Sequence, residues 1–89
     1  MNNTFSDIIN TGASSGKYTV EELYPSDIVS EAVIMTPGGT KVVIQGVSAD
    51  SKLDRFIVRD SYTATVFAEF SYTTEEDAKD QIISAIEDH

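Results

Sequence analysis

Very few side chains of this sequence have the chemistry that an enzyme needs. Its single histidine, His89, is the last residue, and there is no cysteine. A serine nucleophile therefore lacks a positioned base, and neither a disulfide nor a zinc site of cysteines and histidines can form. Paired carboxylates such as Glu21-Glu22 and Glu75-Glu76 are able to exchange protons with a substrate. In so acidic a chain, such pairs usually lie on solvated faces or at helix starts, and we predict a protein that is not an enzyme.

Two other segments have some features of ligand sites. Asp50 to Asp54 has the acidic spacing of a calcium loop, but the glycine and the distal glutamate in register are missing. Gly38-Gly39 is followed by no helical pattern, which indicates a turn and not a phosphate cradle. The sequence therefore predicts no metal ion and no cofactor.

The charge balance is the strongest functional signal in the chain. Fifteen acidic residues oppose six basic ones, giving a formal net charge of −9. Such a surface repels nucleic acid and anionic membranes and attracts basic surfaces. The same acidity can also serve only to keep a small domain in solution. Lys41, Lys52, Arg55 and Arg59 form one small basic patch, which we expect to pair with nearby acids.

Length and composition predict a single domain over residues 1–89. A chain of 89 residues has no room for a second core, and 40% apolar residues argue against disorder. No run of about 18 apolar residues predicts a membrane span. Residues 1–5 lack the basic start and the apolar core of a secretory signal. Together with the lack of cysteine, these features predict a cytoplasmic protein.

The first part of the chain contains one clear helix and two ambiguous segments. A helix is predicted from Thr4, which can cap it, to Gly12, which would end it. Lys17 to Tyr24 alternates like a strand but also contains a capping box. Ser26 to Val33 has apolar residues at helical spacing, although the same residues could extend the strand that follows. We favour a short helix there.

The rest of the chain predicts an antiparallel meander and a last helix. Pro37 to Thr40 is a hairpin turn between two β-rich runs. Further strands are predicted at Leu53–Arg59 and Tyr62–Phe70. Thr74 caps the last helix, whose apolar stripe comprises Ala78, Ile82, Ile83 and Ile86. The predicted fold class is α+β, an antiparallel meander of about four strands with a short N-terminal helix and a C-terminal helix packed on the sheet.

Alternation along the later strands predicts their two faces. Phe56 and Val58 share one face of the third predicted strand, and Arg55, Ile57 and Arg59 share the other. In the fourth predicted strand, one face comprises Ala64, Val66, Ala68 and Phe70.

Carboxylates on such a sheet can imitate a phosphate backbone. DNA carries one charge per about 3.4 Å of each strand, and residues of a β-strand rise by about the same distance. An acidic strand edge can therefore present negative charge to a groove built for DNA. The sequence predicts a basic, DNA-binding protein as partner, with no direct contact to nucleic acid or membrane.

Several short segments in the first two-thirds of the chain follow the order seen in one family of phage proteins. They are Phe5–Ile9, Gly16-Lys17, Glu22 followed by Pro25, Ser26–Val33, Val42–Ile44, and Asp50-Ser51 before Phe56–Val58. In this order they resemble the small acidic phage inhibitors of uracil-DNA glycosylase. The resemblance implies two helices packed with an antiparallel sheet, and an inhibitor that blocks a DNA-binding site in the host cytoplasm.

The resemblance also implies a partner-binding surface with an acidic part and an apolar part. In that family an acidic edge strand enters the DNA-binding groove, and a pocket between helix and sheet accepts an apolar side chain of the enzyme. Glu22 takes the place of the strand's glutamate, with Glu21, Asp27 and Glu31 as neighbouring acids. The implied pocket comprises Ile28, Val29, Ala32 and Val33 on its helix side and Val43 and Ile57 on its sheet side.

Two other functions fit the same sequence. An anti-CRISPR or anti-restriction inhibitor of another nucleic-acid enzyme would use the same electrostatics. A small structural or assembly subunit would instead pair a sheet edge with its neighbours. A strand over Ser26–Val33 would remove the second helix and weaken the glycosylase-inhibitor hypothesis.

Overall fold

The computed structural model describes residues 4–50 and 52–89, which form two helices and five strands. In chain order they are α1 (Thr4–Ser14), β1 (Thr19–Tyr24), β2 (Val29–Met35), β3 (Lys41–Ala49), β4 (Lys52–Asp60), β5 (Val66–Ser71) and α2 (Glu75–Ile86). The strands form one antiparallel sheet in the order β1-β2-β3-β4-β5. The α+β meander with a helix at each end is confirmed, and it has one strand more than predicted. Residues 1–3 and Ser51, part of the predicted turn before β4, lie outside the described residues.

The helix predicted over Ser26–Val33 is wrong. From Val29 onward this segment is β2, which pairs with β1 on one side and β3 on the other. Ser30 and Ala32 are buried on the face that the helices cover. Pairing on both sides satisfies the backbone N–H and C=O groups of β2, and this long-range gain outweighs a weak local helical pattern. The strand interpretation of Lys17 to Tyr24 is confirmed, because β1 lies there.

Helix α1 does not end at Gly12, as predicted, but continues to Ser14. Gly12 is buried against the ring of Tyr18, and a Cβ atom at this position would overlap the phenol. The Tyr18 hydroxyl donates a hydrogen bond of 2.6 Å to the Ile9 carbonyl oxygen. The chain leaves the helix at Gly16, whose φ of +82° is the left-handed conformation that favours glycine.

Both helices cover the same face of the sheet. Helix α1 contacts β1 and α2, whereas α2 contacts β4 and β5. The centre of this layer is Phe56 of β4, which stacks on Phe5 of α1 at 5.9 Å and on Phe70 of β5 at 5.4 Å between ring centroids. Tyr72 adds an edge contact to the same ring at 5.6 Å. Gly46 of β3 leaves the space that the Phe5 ring occupies.

Helix α2 is confirmed together with its cap and its apolar stripe. The Thr74 side-chain oxygen accepts a hydrogen bond of 3.1 Å from the Asp77 backbone N–H. Ala78, Ile82 and Ile86 are buried against the core, and Ile83 is half-buried beside them.

The last strand begins at Val66 and not at Tyr62. The residues before it form a turn in which the Asp60 carboxylate accepts two backbone N–H bonds of 2.8 Å. These hydrogen bonds lower the pKa of Asp60. A bulge then places Val66 opposite Arg59 and on the face away from Ala68, which corrects the single face predicted for this strand. The two predicted faces of β4 are confirmed.

The burial of Tyr18 predicts how the free energy of unfolding depends on pH. Burial raises the pKa of its hydroxyl well above the ordinary value of 10.0. Above about pH 10 the unfolded chain therefore loses this proton while the folded chain keeps it, so the free energy of unfolding falls as pH rises. Tyr18→Phe should remove this contribution. At pH 7 it should cost about 0.5–1.5 kcal/mol, because the hydrogen bond to Ile9 is lost.

Urea unfolding of both proteins between pH 7 and pH 11 measures the two effects. Tyr62→Phe, at a position that is 97% exposed, is the matched control and should leave stability at pH 7 unchanged. An alkaline decline that is as steep in the Tyr18 variant as in the parent would contradict the assignment.

Candidate protein-binding site

Four predicted acidic residues lie on and beside the free edge of the sheet. Glu21 and Glu22 are exposed in β1, Asp27 is exposed in the connection to β2, and Glu31 is half-buried in β2. We call these four residues the acidic edge. Glu21 is the extra residue of a β-bulge in β1, and it directly precedes Glu22. The structure thus brings the acidic part of the predicted site together on two neighbouring strands.

Tyr24 lies between two carboxylates of the acidic edge. Its hydroxyl donates a hydrogen bond of 2.9 Å to Glu22 Oε1, and Tyr24 stands directly opposite Glu31. The hydrogen bond to Glu22, and then the charges of Glu22 and Glu31, raise the pKa of the Tyr24 hydroxyl. Gln45 Nε2 donates a longer bond of 3.4 Å to Glu31 Oε2. Neutral groups and not cations therefore surround these charges.

A second group of acids lies on α2 and just after it. Its members are Glu75, Glu76, Asp77, Asp80, Glu87 and Asp88. Lys79 Nζ lies 3.8 Å from Glu76 and 3.5 Å from Asp80, and the first-turn acids stabilise the positive end of the helix. Within the described residues, no ion pair reaches the acidic edge. Its carboxylates are therefore available to an external cation, whereas Glu76 and Asp80 of α2 already have Lys79 nearby.

The apolar pocket implied by the resemblance does not form. Because β2 is a strand, Ala32 is fully buried in the core on the helix-covered face, while Val33 points to the opposite face. Ile28 and Val29 lie at the start of β2 and are 73% and 41% exposed. These four residues therefore do not line one cavity.

Three of the implied pocket residues do meet, but on a flat surface. No described helix or strand covers the face of the sheet opposite α1 and α2, and we call it the open face. Val33 and Val43 pair across β2 and β3, and Ile57 of β4 lies diagonally beside Val43. The apolar residues of the open face include Tyr24, Val29, Val33, Met35, Val43, Val47, Ile57 and Val66.

Sequence reasoning missed how the charges divide on the open face. All four residues of the predicted basic patch lie on this face, Lys41 on β3 and Lys52, Arg55 and Arg59 on β4. Arg55 forms the expected local ion pair, 3.0 Å from Glu69 of β5. Over the ranges that the structure covers, Lys41 and Arg59 form no ion pair. Alternation in β4 predicted that Arg55 and Arg59 share a face. That Glu31 lies on the same face depends on the register between β2, β3 and β4, which no short stretch of sequence indicates.

The two edges of the sheet are poorly suited to accept another strand. β1 contains a bulge at Glu21 and is followed by Pro25, which has no N–H group to donate. β5 is six residues long and contains a bulge opposite Arg59. Bulges, short strands and like charges all oppose strand addition. Neither edge is therefore a good site for pairing with a strand of another molecule.

Comparisons with known proteins leave the family undetermined: no family model, no curated protein and no solved structure matches this chain. The resemblance to glycosylase inhibitors consequently rests on the sequence segments alone. Over residues 4–50 and 52–89, no group of three or more histidines and acids is placed to hold a metal ion. Neither of the helices in those ranges is long and apolar enough to cross a membrane.

Substitution of Ala32 tests whether β2 is a strand whose Ala32 side faces the core. Ala32→Leu adds volume to a packed core and should lower the free energy of unfolding by about 1–3 kcal/mol. Val29→Leu, at an exposed position of the same strand, should change it by less than about 0.5 kcal/mol. Urea unfolding of both variants measures the difference. Equal effects would contradict the placement of Ala32 in the core.

Proposed function

We propose that this chain is an acidic protein that inhibits an enzyme by occupying its DNA-binding site. The observation that carries the proposal is the acidic edge, a set of four carboxylates with no ion-pair partner among the described residues. In a chain of net charge −9, these groups are free to pair with arginines and lysines of another protein. Charge-assisted hydrogen bonds to such cations are among the stronger polar contacts.

The geometry of the acidic edge suits a groove that normally holds a phosphate backbone. Residues along β1 rise by about 3.3 Å, close to the axial spacing of charges on one DNA strand. Glu31 adds charge from the adjacent strand, about 5 Å away. The excess negative charge should also speed the encounter with a basic protein, an effect that salt screens.

Uracil-DNA glycosylase is the first target to test, because the segments between Phe5 and Val58 resemble its phage inhibitors. The residues implied for the apolar pocket do not line one cavity, so they cannot enclose an apolar side chain of the enzyme. Binding would then depend on the acidic edge and on flat apolar contacts. A restriction endonuclease and a CRISPR nuclease present basic DNA-binding surfaces as well, and they are the alternative targets.

Inhibition assays with charge-reversed variants test this proposal. The purified protein should slow uracil excision, or cleavage by one of the two nucleases, and added DNA should relieve the inhibition. Raising the salt concentration from 50 to 300 mM should weaken inhibition steeply. The double variant Glu21→Lys, Asp27→Lys should raise the inhibition constant at least about tenfold, a change of about 1.4 kcal/mol.

The control for net charge is the double variant Asp54→Lys, Glu87→Lys, which makes the same charge change at exposed positions away from the acidic edge. It should inhibit nearly as well as the parent protein. An equal loss in both double variants would show that the acidic edge is not the binding surface. Full activity of all three enzymes at a large excess of the protein would contradict the proposed inhibition of these targets.

A further inference from the structure

We infer that the open face binds a second copy of this chain, forming a two-fold symmetric, face-to-face dimer. This inference concerns self-association and does not depend on the proposed inhibition, although Glu22 and Glu31 belong to both surfaces.

The open face is apolar at its centre although no layer of the protein covers it. Val33 and Val43 are only 8% and 5% exposed there, although neither belongs to the core cluster on the helix-covered side. At its margins, Tyr24, Val29 and Val66 are 55%, 41% and 54% exposed. An apolar sheet face of this kind is typical of a surface that packs against another protein.

The open face carries charges of both signs in a strongly acidic molecule. Its charged residues include the acids Glu22, Glu31 and Glu69 and the bases Lys41, Lys52, Arg55 and Arg59. Most of the net charge of −9 therefore lies on the rest of the surface. A uniformly basic partner would meet repulsion from the four bases. A second copy carries both signs and can place an acid against these bases.

The order of the charges across the sheet specifies how two copies fit. The unpaired acids lie on β1 and β2, and the bases lie on β3 and β4. Consider a two-fold axis that lies in the plane of the interface, parallel to the strands. It places β3 of one copy on β3 of the other, and β2 of each copy over β4 of the other. Glu31 of each copy then lies over β4 of the other, which carries Arg55 and Arg59, and the two Lys41 side chains meet near the axis at the exposed end of β3.

Register makes this complementarity specific. Glu31 pairs with Gln45, which pairs with Ile57, so these three residues form one row across the sheet. In the dimer, Glu31 of one copy lies over Ile57 of the second copy. Arg55 and Arg59 flank that position, each about 7 Å along the strand and within the span of an arginine side chain. An axis perpendicular to the strands would instead place β1 and β2 on themselves and oppose acid to acid.

The size of the face limits the strength of the dimer. Five strands about 4.8 Å apart and roughly 20–30 Å long give on the order of 500–700 Å² per copy. This is slightly less than the roughly 800 Å² per partner of a standard specific interface. Two aligned sheets about 10 Å apart would bury this area, and we expect a reversible dimer with a micromolar dissociation constant.

Sedimentation velocity of the purified protein between about 1 and 500 μM tests the inference without any enzyme. The weight-average mass should rise with concentration from 9.7 kDa towards twice that value. Glu31→Arg and Arg59→Glu should each weaken dimerisation at least tenfold. The variant with both changes should recover to within about threefold of the parent, because each new arginine faces a new glutamate of the other copy.

Within one copy β3 separates Glu31 from Arg59 by about 10 Å, so a contact between copies should restore dimerisation in the double variant without a matching change in the stability of the monomer. Glu87→Arg and Lys17→Glu repeat the two charge changes at exposed positions outside the open face and should leave dimerisation unchanged. Circular dichroism confirms that each variant is folded. Val29→Glu, at an exposed position of the open face, serves as a further disrupting variant if Arg59→Glu does not fold.

A parent protein that stays monomeric up to 500 μM would overturn the inference. A dimer that all of the open-face variants leave intact would place the interface elsewhere. Failure of the double variant to recover would exclude the two-fold arrangement proposed for the strands. None of these results depends on whether an enzyme is inhibited, so the two proposals can fail separately.

Discussion

The stacking of aromatic rings around Phe56 determines which face of the sheet is covered. Phe56 is fully buried in β4, and rings from α1 and β5 pack against it, together with Tyr72 just before α2. Both ends of the chain must therefore return to the same side of the sheet. Gly46 allows the Phe5 ring to approach the strand closely. With both helices used on one side, none is left to cover the other.

This arrangement restricts where the charged residues of the strands can lie. A charge is costly in the aromatic core, so the strands place their charged side chains on the open face or at the sheet edges. Glu31, Lys41 and Arg59 lie far apart in the sequence and share one face because of strand register. The result is a partly apolar face with charges of both signs in a molecule whose acids are concentrated at β1 and on α2. The two proposals concern the acidic edge and the open face, which share Glu22 and Glu31.

Local signals predicted much of the fold because they act within a few residues. The Thr74 cap and the stripe of α2 depend on hydrogen bonds and contacts inside one helix, and the two faces of β4 follow from alternation alone. The errors arose where distant residues decide the outcome. Ser26–Val33 was assigned to a helix although two neighbouring strands pair with its second half, and Gly12 was assigned as a helix end although Tyr18 packs on it.

The sequence by itself determined the net charge, the lack of cysteine and the scarcity of histidine, and with them the prediction of a binding protein for a basic partner. It also placed the carboxylates of the acidic edge on one short stretch of chain. Only the tertiary structure decided that Ala32 is buried while Val33 is on the open face, and that Glu31 lies in one row with Ile57. Composition is a sum over residues and needs no fold, whereas a shared face depends on the register between strands that the chain brings together from a distance.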